Sequence, residues 1–165
     1  MTSFPVTYPF GKTVPDGNAI TVADGIRWLR CPLPMVLTHV NVYAIDDNGS
    51  TAVTDTGIRW DGARDFWDTF FTENRVTKIL ATHGHSDHLS MAGYVNEKTG
   101  ALLHITREEY DSFVAKRDQT GSYSVKANVA FYRSHGLEEE LAAMLLERGS
   151  FYQKTNPPLP ATYQQ

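Results

Sequence analysis

One hexapeptide constrains this chain more than any other stretch: His83-Gly84-His85-Ser86-Asp87-His88, which places three of its six histidines and an aspartate within six consecutive residues. A short apolar run, Val76 to Thr82, leads straight into it. A helical pattern from about Ser90 to Lys98, ending near Gly100, follows it. The cluster is therefore expected on a strand-to-helix loop, where its side chains can turn toward one point. Taken singly, each member has a plain reading: a loop histidine is solvated or caps a helix, and Asp87 suits the N-cap of the next helix. Taken together they would repel one another or need partners, because four converging polar groups are costly to leave unmatched.

The flanking patterns define what surrounds this loop. Short β-type runs are expected at Ile20 to Val22, Ile26 to Leu29, Val40 to Ile45 and Ala52 to Thr54. Asp24-Gly25, Pro32 to Pro34 and Asp46-Asp47-Asn48-Gly49 separate them, and Asn48-Gly49 is a strong hairpin signal. Phe66, Trp67, Phe70 and Phe71 share one face of a helix expected from about Gly62 to Phe71, with Asp61 at its N-cap. Beyond the cluster, Ala101 to Ile105 reads as a strand, and Thr106 with Glu109 has capping-box spacing before a helix bearing Tyr110, Phe113 and Val114. Two more helices are expected around Val125, Val129 and Tyr132, and around Leu137, Leu141, Met144 and Leu145 up to about Arg148, closed by Gly149. Asn156-Pro157-Pro158-Leu159-Pro160 cannot continue a helix and reads as a linker. Residues 1–18 form an extended lead-in.

Composition narrows the function classes. A chain of 165 residues buries roughly 70% of its unfolded surface, enough for a real core. Fifteen basic against nineteen acidic residues give a net charge of −4, with no basic run to follow a phosphate backbone, so nucleic acid is not an expected partner. The single cysteine, Cys31, permits no internal disulfide and no thiolate zinc cluster. No apolar stretch approaches the roughly 18 residues of a membrane helix, and no leader pattern opens the chain. A cytoplasmic protein without a membrane partner is expected.

Neutral imidazole and carboxylate are ligands that a borderline divalent ion such as zinc accepts, and three protein ligands plus water leave a position open for catalysis. A divalent metal lowers the pKa of a bound water toward about 7 and polarises a carbonyl or phosphoryl oxygen. Hydrolysis is the chemistry this donor set suits.

The order His-x-His-x-Asp-His after a buried strand resembles the signature of the metallo-β-lactamase superfamily. Asp55-Thr56-Gly57 resembles the Asp-Thr-Gly that its members place before the first helix, and His39-Val40-Asn41-Val42-Tyr43 looks like their preceding strand. Met91-Ala92-Gly93, Ala101 to Ile105, Thr106 to Tyr110 and Phe131 to Leu137 resemble the hydroxyacylglutathione-hydrolase-like branch, so the likeness runs over about residues 20 to 160. The resemblance implies an α/β (α+β) fold, the αββα sandwich. It further implies that His83 and His85 are ligands of a first metal and that Asp87 and His88 belong to a second. Asp87 is then also the catalytic residue that orients or deprotonates the water, and Asp55 lies beneath the site, holding a ligand in place. Zinc is the expected ion, one or two per site, with manganese or iron also suited to these ligands.

The family completes its metals with a further histidine, a bridging aspartate and a last histidine from a carboxy-terminal half. After His88 only His104 and His135 remain, and neither lies in a glycine-rich context. They and His39 read as structural. The expectation is thus an amino-terminal half: residues 19–105 as its αβ part, 106–149 as a helical insert and 150–165 as a linker toward the missing half. Such a half would act on a small-molecule ester, thioester or lactone when completed. The alternative is a non-catalytic metal-binding or interaction domain; a phosphodiesterase or nuclease is disfavoured by the lack of basic patches. A half sandwich exposes an apolar sheet face, which predicts a homodimer or domain-swapped assembly. Tyr110, Phe113, Tyr123, Phe131 and Tyr132 are candidates to line a pocket in the insert, with Phe113 and Phe131 read as core.

Overall fold

The computed structural model describes residues 19–165, together with Thr7, Pro9, Phe10 and Pro15; the expected lead-in lies largely outside the described residues. Among the described residues seven strands form one mixed sheet in sequential order: β1 (Ile20–Ala23), β2 (Ile26–Pro32), β3 (His39–Asp47), β4 (Ser50–Thr54), β5 (Val76–Leu80), β6 (Leu102–His104) and β7 (Tyr163–Gln164). The first four pair antiparallel, and from β4 onward the pairing is parallel. Asn48 and Gly49 both take positive φ, 50° and 81°, as the tight turn between β3 and β4 demands.

Helices supply the parallel crossovers. Helix α1 (Asp61–Phe71) joins β4 to β5, while α2 (Ser86–Leu89) and α3 (Ala92–Thr99) join β5 to β6. Period-two alternation sends Leu29, Cys31, Val40, Val42, Ala44, Val53, Ile79 and Leu103 to one sheet face, where they form the core with Trp67, Phe70 and Val95. Trp67 is 1% exposed and meets Phe66 and Phe70 edge-on, with ring centroids 5.1 and 5.7 Å away. Such aromatic pairs add about 0.5–1.5 kcal/mol each beyond burial. The opposite face carries Trp28, Arg30, Asn41 and Tyr43, and Trp28 Nε1 donates to Asn41 Oδ1 at 2.9 Å.

Four helices follow β6: α4 (Arg107–Asp118), α5 (Val125–Ser134), α6 (Glu139–Arg148) and α7 (Phe151–Thr155). Several expectations are corrected here. Trp60, not Asp61, occupies the N-cap of α1, and Asp61 lies in its first turn, where its charge complements the dipole without a capping bond. The helix expected from about Ser90 to Lys98 forms as α3, and a short additional helix, α2, lies before it within the histidine cluster; between them Met91 N–H donates to Gly57 O at 3.2 Å. Leu141 and Met144 of α6 are 48% and 58% exposed, and Ala142 is the residue that packs inward. Phe131, expected in the core, is 59% exposed against His135, at the end of a helix that buries only Val129. The stretch read as a linker contributes α7 and the edge strand β7, whose Tyr163 stacks on Tyr110 at 4.1 Å. Among the described residues no helix is long and apolar enough to cross a membrane.

Candidate functional site

Strands β4, β5 and β6 run parallel, so their carboxyl ends share one edge of the sheet. Open α/β sheets place ligands there, because loops leaving adjacent strands can meet above the edge. β4 runs out into Asp55 and β5 into Thr82 and His83. Two backbone bonds fasten the ends laterally: Asp55 N–H to Leu80 O at 3.0 Å and Ala81 N–H to His104 O at 2.9 Å.

Asp55 organises what lies above. It is 3% exposed and adopts a left-handed backbone, φ 56°, a conformation that aspartate tolerates better than most residues. Its carboxylate accepts from Thr82 N–H at 2.8 Å, from the Thr82 hydroxyl at 2.7 Å, and from His88 Nδ1 at 2.9 Å. Thr56 and Gly57 complete the tripeptide's task. Thr56 N–H and hydroxyl both donate to His88 O, at 2.6 and 3.0 Å, and Thr56 O accepts from Trp67 Nε1 at 2.7 Å. Gly57 has φ 85°, and a Cβ there would lie 2.5 Å from Cys31 Sγ, so only glycine fits.

The hydrogen-bond count determines the imidazole tautomers. The Thr82 hydroxyl has one proton, which goes to Asp55; toward His83 Nδ1, 3.0 Å away, it can only accept. His83 therefore carries its proton on Nδ1 and offers a lone pair at Nε2. His88, donating from Nδ1 to Asp55, likewise offers Nε2. The two free nitrogens meet different partners: His83 Nε2 accepts from His85 Nδ1 at 2.9 Å, and His88 Nε2 lies 3.5 Å from Asp87 Oδ2. The rings of His83 and His88 are 4.2 Å apart. Burial, reinforced by the neighbouring His88 and His85, holds His83 below the usual histidine range, keeping its lone pair available. The hydrogen bond to Asp55 outweighs burial and raises His88.

The structure thus brings His83, His85, Asp87, His88 and Asp55 together as two facing pairs over one buried carboxylate. Among the described residues no three histidine, cysteine, aspartate or glutamate groups converge closely enough to hold an ion by themselves. Asp87 is not the N-cap of α2: His85 occupies that position. His135 ends α5 with its Nδ1 2.8 Å from Phe131 O, and His39 opens β3 beside Thr38. His104 lies in β6 with a buried Nε2 that has no protein partner.

Three contributors escaped the sequence reading. Thr82, the last residue of the apolar run, sets a tautomer. The Thr106 cap forms, accepting from Glu109 N–H, but the Glu109 carboxylate leaves the capping box and accepts Gly84 N–H at 2.6 Å, pinning the middle of the loop to α4. Asn156, 5% exposed and read as part of a linker, accepts from the Ser90 hydroxyl at 3.0 Å and steadies the end of α2. Only the Thr106–Glu109 spacing was a signal, and it pointed to a different partner.

A family model for the metallo-beta-lactamase superfamily matches residues 35–162. No curated protein matches. The crystal structure of a beta-lactamase domain protein from Burkholderia ambifaria superposes with a TM-score of 0.78 at 28% identity, over 96% of this chain and 47% of that one. A metallo-beta-lactamase family protein from Thermus thermophilus gives 0.67 at 24% identity, over 88% of this chain and 47% of that one, a likeness of fold. The chain spans about half the length of these two relatives. With the sheet, the Asp-Thr-Gly turn and the histidine loop all in place, the chain belongs to the metallo-beta-lactamase superfamily, whose members are generally metal-dependent hydrolases.

Proposed function

We propose that this chain is the amino-terminal, metal-binding half of a hydrolase that cleaves an ester, thioester or lactone bond in a small molecule. The observation that carries this reading is the presentation of His83 Nε2 and His88 Nε2 on neighbouring rings, each ring oriented by the hydrogen bond of its Nδ1 to Thr82 or Asp55. That donor set fits zinc: His83 Nε2 with His85 Nδ1, which would give up its proton on binding, would hold one ion, and His88 Nε2 with Asp87 a second; manganese or iron would be accepted by the same atoms. A divalent metal bound there lowers the pKa of water and polarises the scissile carbonyl. Asp87, with a carboxylate oxygen beside His88, takes up or orients the proton of the attacking water. Asp55 acts through His88, and Thr82 through His83, by fixing which ring nitrogen stays bare.

Residues 19–105 then form the αβ half, 106–149 the helical insert and 150–165 the passage toward a carboxy-terminal half that supplies the remaining ligands. The sheet face bearing Trp28, Asn41 and Tyr43 is where that half, or in its absence a second copy, would pack. The lone thiol and the charge suit a cytoplasmic setting. A second reading, a non-catalytic metal-binding domain, is favoured by one observation: each pair offers two protein donors where tetrahedral zinc wants three.

Zinc loading followed by elemental analysis tests the site, with a His83→Ala, His85→Ala double variant as comparator. Stoichiometric zinc in the parent and its loss in the variant are expected; equal content in both would remove the loop from consideration. Assay of the zinc-loaded chain, and of its longer parent protein, against ester, thioester and lactone panels separates the two readings. Turnover abolished by Asp87→Asn supports the hydrolase; zinc binding without turnover in either form supports the second.

A further inference from the structure

We propose that the helical region carries a separate binding site for an organic anion, a carboxylate borne on an apolar ring or short chain. The site is the groove where α4, α5 and the α6–α7 junction meet. Its cavity of about 340 Å³ lies in the range that small-molecule sites occupy.

Three observations converge on the ligand's chemistry. First, aromatic side chains that a core would bury are turned outward onto this groove. Tyr123, Tyr132 and Phe151 all line it and are 41%, 48% and 45% exposed, with Val125, Val129 and Leu145 beneath them. Exposed aromatics gathered in a concavity mark a binding surface rather than scattered surface residues. Second, the charged groups of the groove are Lys116 and Arg148, and no carboxylate lines it, although acidic residues outnumber basic ones nineteen to fifteen in the chain. Of the acids on the same helices, Asp118 is paired with Arg117 and Glu139 with Arg133. Among the described residues neither Lys116 nor Arg148 takes part in an ion pair. Third, the cation is held in position. Lys116 Nζ lies 5.8 Å from the Tyr123 ring centre and 5.5 Å from that of Tyr152, so cation–π attraction orients the ammonium without neutralising it.

The walls are fastened as well. Gln119 ends α4 in a left-handed conformation, φ 56°, and its side-chain amide donates to Ser150 Oγ at 2.7 Å and accepts from Val125 N–H at 3.0 Å. One side chain thus ties α4 to the starts of α5 and α7. Two cations amid aromatic walls suit a single carboxylate with an apolar body; they are too few for a polyanion, and the lining is too apolar for inorganic phosphate. The same helix meets the histidine loop through Glu109, and Lys116 lies seven residues, or about 10 Å, further along its axis. The groove is therefore distinct from the loop, and its ligand does not depend on the loop being catalytic.

The test is a titration of the chain with 4-phenylbutyrate, followed by amide NMR, with the neutral 4-phenylbutyramide and inorganic phosphate as comparators. Saturable binding of the acid is expected, with shifts confined to the neighbourhoods of Lys116, Tyr123 to Val129 and Arg148 to Tyr152. The amide should bind about tenfold more weakly, the value of one charge-assisted contact. Lys116→Met and Arg148→Met should each weaken the acid to a similar degree while circular dichroism is unchanged. Arg148 is exposed, so its variant carries the test if Lys116→Met fails to fold. Equal binding of acid and amide, tighter binding of phosphate, shifts elsewhere on the chain, no saturation in the millimolar range, or an Arg148→Met variant that binds the acid as the parent does would each overturn the proposal.

Discussion

Replacing Asp55 by asparagine changes one atom and, on this geometry, reverses the site's hydrogen-bond logic. Asparagine tolerates the left-handed conformation at φ 56°, so the backbone cost is small and the side-chain effect is isolated. Its orientation is dictated by Thr82 N–H, which at 2.8 Å requires an oxygen opposite. The amide nitrogen must then face the Thr82 hydroxyl and His88 Nδ1. The Thr82 hydroxyl accepts from it and can keep its own proton on the retained oxygen, 3.0 Å away, while His88 must present a bare Nδ1. His88 becomes protonated at Nε2, the nitrogen it had offered.

Hydrogen bonds to a charged group are worth about 1.5–3 kcal/mol and neutral ones about 0.5–1.5. With every donor still matched, Asp55→Asn should therefore cost about 1–2 kcal/mol of stability. Asp55→Ala strands three donors and adds strain at a positive φ, so about 3–5 kcal/mol is expected. Zinc affinity should fall more than stability does, by about 10–100-fold in Asp55→Asn, as when a group orienting a ligand is lost. Urea unfolding followed by tryptophan fluorescence gives the first quantity, and zinc titration against a chromophoric chelator gives the second. If Asp55→Asn binds zinc as tightly as the parent, the tautomer assignment fails. An Asp55→Ala variant as stable as Asp55→Asn would sink the assignment of Asp55 as the organising carboxylate.

Gly57→Ala forces a Cβ to within 2.5 Å of Cys31 Sγ at φ 85°, and should destabilise by about 2–4 kcal/mol in thermal or urea melts; adding Cys31→Ala should recover part of the loss by removing the obstructing sulfur. Burial pushes the Cys31 thiol from 9.0 up to about 12, so iodoacetamide should label it only on unfolding. Because its folded value is raised, this thiol's contribution is intact below pH 9 and is lost as pH rises from 9 toward 12, with a slope of up to about 1.4 kcal/mol per pH unit. Cys31→Ala should flatten that slope, and an identical alkaline profile in both proteins would refute it. Asn156→Ala removes the acceptor of the Ser90 hydroxyl and should cost about 1–2 kcal/mol, with weaker zinc binding, since α2 carries Asp87 and His88; unchanged zinc affinity would show that the contact serves the fold alone.

What could be read in advance follows from where the information lies along the chain. Periodicity over five to twelve neighbouring residues announced β3, β4, α1 and α5, because the face of an element that is buried repeats within the element itself. The Asn48-Gly49 turn and the Gly100 and Gly149 helix ends were legible for the same reason: they depend on one residue's own φ. The site is different in kind. His83 to His88 was visible as a cluster, but the bonds that tune it join Asp55 to His88, Gly84 to Glu109 and Ser90 to Asn156, separations of 33, 25 and 66 residues. No local pattern encodes such pairs; they arise once three parallel strands deliver their ends to one edge. Glu109 makes the point sharply. Its spacing from Thr106 satisfies a local capping rule, and half of that rule is obeyed, yet its carboxylate bonds instead to a backbone N–H of the loop that the sheet has brought alongside. The N-terminus of α4 therefore does two jobs, starting a helix and clamping the histidine loop. Through this end of α4 the insert and the candidate metal centre are mechanically joined.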